Sequence, residues 1–169
     1  MIDFDLLCET TVKFVHHFKD VLTLDQFVPE LKNIDIQDHH QLIDGIPITY
    51  ILEKLHQMGP NYYNDKSTAY AELHIYGYDK KPFFVHKEYL ILQSYFFKEA
   101  FQQLTDGDVI TISLPYPQEF EPILEYLYDG DDNKFYDTLT LDNYKKIWKN
   151  VEYLGLGLEP ISQADSFPS

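Results

Sequence analysis

The sequence predicts an α+β fold: a small mixed sheet with a cluster of helices, preceded by an N-terminal helical lobe. Three observations predict it. Apolar residues recur with a period near 3.6 over the first 58 residues. A breaker-rich stretch, Gly59 to Thr68, then separates this region from one where the period falls to two. Beyond that stretch the elements read strand, strand, helix, helix, strand, helix, helix.

In the first region, Leu7, Phe14, Val15, Phe18, Val21 and Leu22 mostly fit one helical stripe, which predicts a helix over about residues 3–22. Pro29 restricts any second helix to a short piece. Asp35 to Asp44 reads as another short helix closed by Gly45. Pro47 suits the first turn of IPITYILEKLHQM, whose Ile48, Ile51, Leu52 and Leu55 share a face before Gly59-Pro60 stops it. Residues 1–58 therefore form a helical lobe and residues 59–69 a linker. Phe14, Phe18, Val21, Ile51 and Leu55 are the candidates for packing this lobe onto the adjoining domain or onto a second copy.

Past the linker, Leu73 and Ile75 alternate with His74 and Tyr76, then the turn-like YDKK leads to PFFVH, which predicts two paired strands. Over Glu88 to Gln103, Leu90, Ile91, Ser94, Phe97 and Phe101 fall at helical spacing, with a break near Ser94, whose hydroxyl can cap a new helix. Thr105-Asp106-Gly107-Asp108 is a turn, and the β-branched VITISL a third strand. Pro117 opens a helix that buries Phe120, Ile123, Leu124 and Leu127 and ends at Gly130. A last helix, Leu141 to Gly155, packs Tyr144, Ile147, Trp148, Val151 and Leu154. Residues 70–155 thus form the main domain and residues 156–169 a flexible tail.

Charge and composition exclude several function classes. A net charge of −15 repels phosphate backbones, which need clustered Lys and Arg, so direct nucleic-acid contact is not expected. No apolar run approaches the roughly 18–20 residues of a membrane span. Met1 to Leu7 carries Asp3 and Asp5, unlike a secretory leader, and the single Cys8 has no internal disulfide partner. The expected setting is cytoplasmic or nuclear.

The chemistry-bearing residues favour structure over catalysis. His86 sits at a strand-to-helix junction, where either ring nitrogen can satisfy a backbone group, and Lys87 reads as a solvated charge. Ser94 lacks a nucleophile elbow and reads as a cap. Asp129, Asp131 and Asn133 imitate the start of a calcium loop, but Lys134 replaces its glycine and Thr140 its bidentate Glu, leaving an acidic solvated loop. Asp35, Asp38, His39, His40 and Asp44 are the densest set of metal ligands, without a Cys partner or an H-E-x-x-H pattern. A metal-dependent enzyme built there is the competing reading. The expectation is a non-enzymatic chain without catalytic residues, metal or cofactor, whose abundant Tyr and Phe serve protein contacts.

Several separated positions carry a family resemblance. Glu72 opens the first core strand. Phe84-Val85-His86-Lys87 leads into the first helix, and Leu90, Ser94, Phe97 and Phe101 come next at characteristic spacing. Phe120, Leu124, Tyr126, Tyr128, Gly130 and Tyr153-Leu154 complete the pattern. Over about residues 70–155 the sequence resembles a BTB/POZ domain.

The resemblance implies a protein-protein interaction module that forms homodimers and, in many members, docks a cullin-3 scaffold as the substrate adaptor of a ubiquitin ligase. It equally implies two other roles: a homodimerising scaffold in a transcriptional or chromatin complex, or a monomeric bridge resembling elongin C. Cullin-binding members carry an apolar-x-Glu element after the second core helix. Here Leu104-x-Asp106 stands about one residue early, with Asp for Glu. Phe101, Leu104, Asp106 and Tyr128 are therefore the candidate partner-binding residues. Recruiting members carry a recognition domain after the core, so substrate capture is expected to fall to the N-terminal lobe or a partner, or not to occur at all.

Overall fold

The computed structural model describes residues 42–43 and 45–157. The helix expected over 3–22, with Phe14, Phe18 and Val21, lies outside them, as do the Asp35–Asp44 metal candidates and residues 158–169.

The end of the helix expected over Asp35 to Asp44 is instead extended. Strand β1 (Leu42–Ile43) pairs antiparallel with β2 (Ile46–Pro47), Leu42 opposite Pro47 and Ile43 opposite Ile46. Gly45, at φ +78°, turns between them in a backbone region that costs glycine little. Helix α1 (Ile48–Tyr62) begins at the next residue. Its Ile48, Ile51, Leu55 and Gly59, at offsets of three and four, form one buried stripe.

Gly59-Pro60 does not stop α1, which runs on through residues 59–62 of the expected linker. Pro60 removes only one amide donor two residues from the end, and the Tyr63 amide donates to the Gly59 carbonyl at 2.8 Å to close the last turn. Gly59 is there for approach: a Cβ at this position would collide with the Tyr128 carbonyl on a facing helix. A pair with the chemistry of a breaker is thus the seat of a helix crossing.

Three strands, β3 (Ala71–Ile75), β4 (Phe83–Val85) and β5 (Val109–Ile112), form the sheet in the order β4-β3-β5. β4 runs antiparallel to β3, with Leu73 opposite Phe83, and β5 runs parallel to it, with Leu73 opposite Ile110. A parallel neighbour requires a crossover. It is built from α2 (Lys87–Ile91), α3 (Tyr95–Ala100) and a 3₁₀ turn (Phe101–Gln103). Period-two alternation buries Ala71, Leu73 and Ile75 on one face, and Phe83, Val85 and Ile112 join them.

A 3₁₀ turn (Pro117–Glu119) precedes α4 (Glu121–Asp129), so the expected single helix from Pro117 is divided. Phe120, Ile123, Leu124 and Leu127 are all buried, and Gly130 ends α4 in the left-handed conformation. The segment expected to be an acidic solvated loop contains a further helix, α5 (Asp132–Asp137). Asp131 caps it by accepting the Lys134 amide at 3.1 Å, and Phe135 anchors it in the core. Only a single apolar position, Phe135, faces inward here, too little for a periodicity to register.

Helix α6 (Tyr144–Leu154) starts three residues later than expected. Thr140 and Asn143 exchange backbone-to-side-chain hydrogen bonds of 2.7 and 3.2 Å ahead of it. Buried Asn150 uses both ends of its amide on Tyr116, accepting its N–H at 2.9 Å and donating to its carbonyl at 2.7 Å. Leu156, the first residue of the expected tail, is nearly buried and bridges Ser94.

The seam between α1 and the sheet-bearing part is apolar with polar ties. Ile51 and Leu55 lie inside the common core. The Tyr89 hydroxyl donates to the Leu55 carbonyl at 2.7 Å. The Gln93 amide donates to the Tyr89 and Leu127 carbonyls at 2.8 and 2.7 Å, and its carbonyl meets His56 Nε2 at 3.1 Å. Because α1 can approach α4 only over a glycine, Gly59→Ala is expected to cost about 2–3 kcal/mol in urea unfolding. An unchanged midpoint would show that the crossing relaxes.

Candidate partner-binding surface

Most of the signature residues point inward. His86 ends β4, and its backbone N–H donates to the Tyr128 hydroxyl oxygen at 2.8 Å. Its ring Nδ1 lies 2.8 Å from the same hydroxyl and its Nε2 2.7 Å from Thr68 Oγ1. Thr68 Oγ1 is in turn 3.1 Å from a carboxylate oxygen of Asp65. With the proton on Nε2, each of these donors meets an acceptor: Tyr128 O–H gives to Nδ1, Nε2–H to Thr68, and Thr68 O–H to Asp65. The partners of the imidazole are therefore side-chain hydroxyls, where backbone groups were expected. Asp65 is held below the usual carboxylate range by hydrogen bonds from Ser67.

Lys87 corrects the expectation of a solvated charge. All five residues of α2 are buried, because the short helix is wrapped on every side. Lys87 is 8% exposed, with Nζ 5.2 Å from the Tyr70 ring centroid, and burial pushes its pKa down. Ser94 is fully buried and takes two roles. Its hydroxyl accepts the Phe97 amide at 3.2 Å, capping α3, and donates to the Leu154 carbonyl at 2.6 Å, fastening the end of α6. Leu90 and Phe97 are core. Glu72, on the outer face of β3, meets His74 Nε2 at 2.7 Å.

Two candidate partner contacts are also interior. Phe101 and Tyr128 are each 1% exposed, so neither can touch a partner while the fold is intact. Tyr128 stacks on Tyr89 with centroids 4.2 Å apart and planes 8° from parallel, and Phe101 packs on Tyr70 and Phe97. Both stand at helical spacing from other core residues, which a surface role would not require. Leu104 is half-buried behind the 3₁₀ turn, its carbonyl accepting the Tyr70 hydroxyl at 3.0 Å, whereas Asp106 is exposed in the turn before β5.

What the surface does offer is aromatic. At the start of α3, Tyr95 is exposed and its amide donates to the Gly155 carbonyl at 3.3 Å, bringing it against the end of α6. Phe96 is half-buried with its ring 5.4 Å from that of Tyr153, which is 48% exposed. Tyr95, Phe96 and Tyr153 form a ridge across the α3–α6 junction. Tyr95 and Phe96 are adjacent in the sequence, but Tyr153 joins them only in the fold, since 57 residues separate it from Phe96. Tyr62, Tyr63, Tyr126 and Tyr128 turn mostly inward, with Tyr63 edge-on to Tyr128.

Among the described residues, no group of three His, Cys, Asp or Glu side chains could hold a metal ion. Asp129, from the imperfect calcium loop, is instead paired with Lys134 at 2.9 Å. No described helix is long and apolar enough to cross a membrane.

Tyr128→Phe deletes one oxygen and leaves the buried His86 amide without an acceptor. It should cost about 1–3 kcal/mol in chemical denaturation, and Ser94→Ala a comparable amount. A Tyr128→Phe protein as stable as the parent would show that the hydroxyl is not what holds the β4–α2 junction.

No curated protein matches significantly. Among solved structures, the chain is similar to the BTB domain of zebrafish PATZ1, with a TM-score of 0.46 and 17% identity over 63% of this chain and 79% of that one. The family model for the BTB/POZ domain matches residues 63–154, more than half of the sequence. These residues run from the end of α1 to the end of α6, and the chain belongs to the BTB/POZ domain family.

Proposed function

We propose that this chain is a non-enzymatic adaptor whose α3–α6 aromatic ridge, with the Leu104–Asp106 turn, docks a cullin-3-type scaffold of a ubiquitin ligase. The BTB/POZ domain is a protein-protein interaction module, which sets the class of function. The observation that carries the particular reading is the ridge of Tyr95, Phe96 and Tyr153, exposed on a domain whose signature residues are otherwise consumed in folding. Tyrosine offers large contact area with little rotamer entropy to lose, and such residues dominate binding energy at interfaces. Asp106 supplies an exposed carboxylate about one residue ahead of the position where cullin-binding BTB/POZ members carry Glu. A net charge of −15 would steer a basic partner face toward the domain.

Titration calorimetry of the purified chain against the N-terminal half of a cullin-3 scaffold tests this. Micromolar or tighter binding is expected, weakened roughly tenfold or more by Tyr153→Ala and by Asp106→Lys, both on the surface. A chain that binds no cullin but runs as a dimer in light scattering would support the homodimerising scaffold instead. A monomer that binds neither would favour an elongin C-like bridge to another partner.

A further inference from the structure

Glu88 is the one buried acid in the described residues for which the fold supplies no partner. It lies in the first turn of α2, 1% exposed, and neither carboxylate oxygen meets a hydrogen-bond donor from another side chain or a neighbouring segment. The adjacent Lys87 is also buried, but its ammonium is spent over the Tyr70 ring. The groups that face the Glu88 charge come from three helices. Lys87 and Tyr89 belong to α2, Tyr62 to the end of α1, and Tyr128 to α4. His86, two residues back, is joined to Tyr128. All three tyrosines have their ionisation pushed up, burial being the larger cause and the Glu88 charge a second.

We propose that Glu88 is a proton-dependent latch: held neutral, it lets the end of α1 close on α2 and α4, and its ionisation loosens α1 from the domain. An unpaired carboxylate in such a setting has only two outlets, to keep its proton or to draw water in. Keeping the proton preserves the packing, and burial pushes the Glu88 carboxyl up to about 8. Drawing in water opens the junction, and α1 is the part that can yield. It precedes the residues that match the family, and it is fastened by the close approach of Gly59 to Tyr128 and by the Tyr89–Leu55 hydrogen bond, both made by tyrosines that face the Glu88 charge.

Proton binding in the two states fixes the sign of the pH dependence. In the unfolded chain the acid ionises near its ordinary 4.5, and in the folded chain near 8. The folded state therefore binds the extra proton between these values, and stability is fully present below 4.5 and is lost as pH rises to about 8. Depressed carboxylates such as Asp65 act with the opposite sign and in a lower range.

The experiment has three readouts on the full chain. Carbon-detected NMR of side-chain carboxyls should show one glutamate, assigned by its absence in Glu88→Gln, titrating above pH 7. Thermal midpoints between pH 5.5 and 8.5 should fall in the parent by roughly 5 °C or more, and clearly less in Glu88→Gln, which keeps the shape without the charge. Amide exchange over Leu55–Gly59, corrected for intrinsic pH dependence, should quicken roughly tenfold between pH 6 and 9 relative to α6 in the parent, and not in the variant. A Glu88 resonance titrating at pH 4–5 overturns the proposal whether or not the variant folds. So does equal acceleration in α1 and α6, which would mean a general loss of stability and no latch.

Discussion

Everything in this domain is arranged around the burial of one tyrosine. Tyr128 must bring a hydroxyl into the core, and a hydroxyl there without partners costs about 1–3 kcal/mol. The fold answers by ending β4 at His86, so that a backbone N–H and an imidazole nitrogen both meet the oxygen at 2.8 Å. The ring then stacks on Tyr89 and receives Tyr63 edge-on. On the other side of the same residue, the Tyr128 carbonyl occupies the space that a side chain at Gly59 would need. One residue thus fixes where the sheet hands over to α2 and how closely α1 lies on α4.

Ser94 of the signature and two other polar side chains repeat this logic at the edges of the core. Ser94 closes the gap between α3 and α6, Asn150 clamps the backbone of Tyr116, and Gln93 ties α2 to α4 and His56. Each satisfies backbone groups that a short helix or an irregular connection leaves open. Since these residues work inward, none is available for recognition. That role falls to exposed side chains, above all the ridge of Tyr95, Phe96 and Tyr153, the last a signature position that faces outward. Among the described residues, Glu88 is the buried acid, and it lacks such an answer.

The elements with strong periodicity were legible in the sequence: the alternation of β3, the Leu90–Phe101 helical pair broken at Ser94, and the inward stripe of α4. Here local pattern and tertiary packing demand the same thing. The departures occur where they conflict. Gly59-Pro60 carries the local chemistry of a stop, and helix packing overrides it. Leu42–Ile43 has the local pattern of a helix end, but the turn at Gly45 and its pairing with Ile46–Pro47 make it a strand. α5 leaves no mark on the sequence because a six-residue helix with one buried anchor has no period to detect.

By itself, the sequence determined the fold family and the identity of the residues that build it. Spacing along a helix or strand decides which side chains share a face, and those spacings are written in the chain. Its charge of −15 also set the expectation against direct nucleic-acid contact. Only the tertiary structure decided which aromatics face solvent, since Phe101 and Tyr128 differ from Tyr153 in what packs over them and not in type. Nor could the sequence separate the buried Lys87 and Glu88 from the exposed charges around them. Burial is a property of the neighbours brought in from distant segments, and it turns an ordinary Lys-Glu pair into two interior charges.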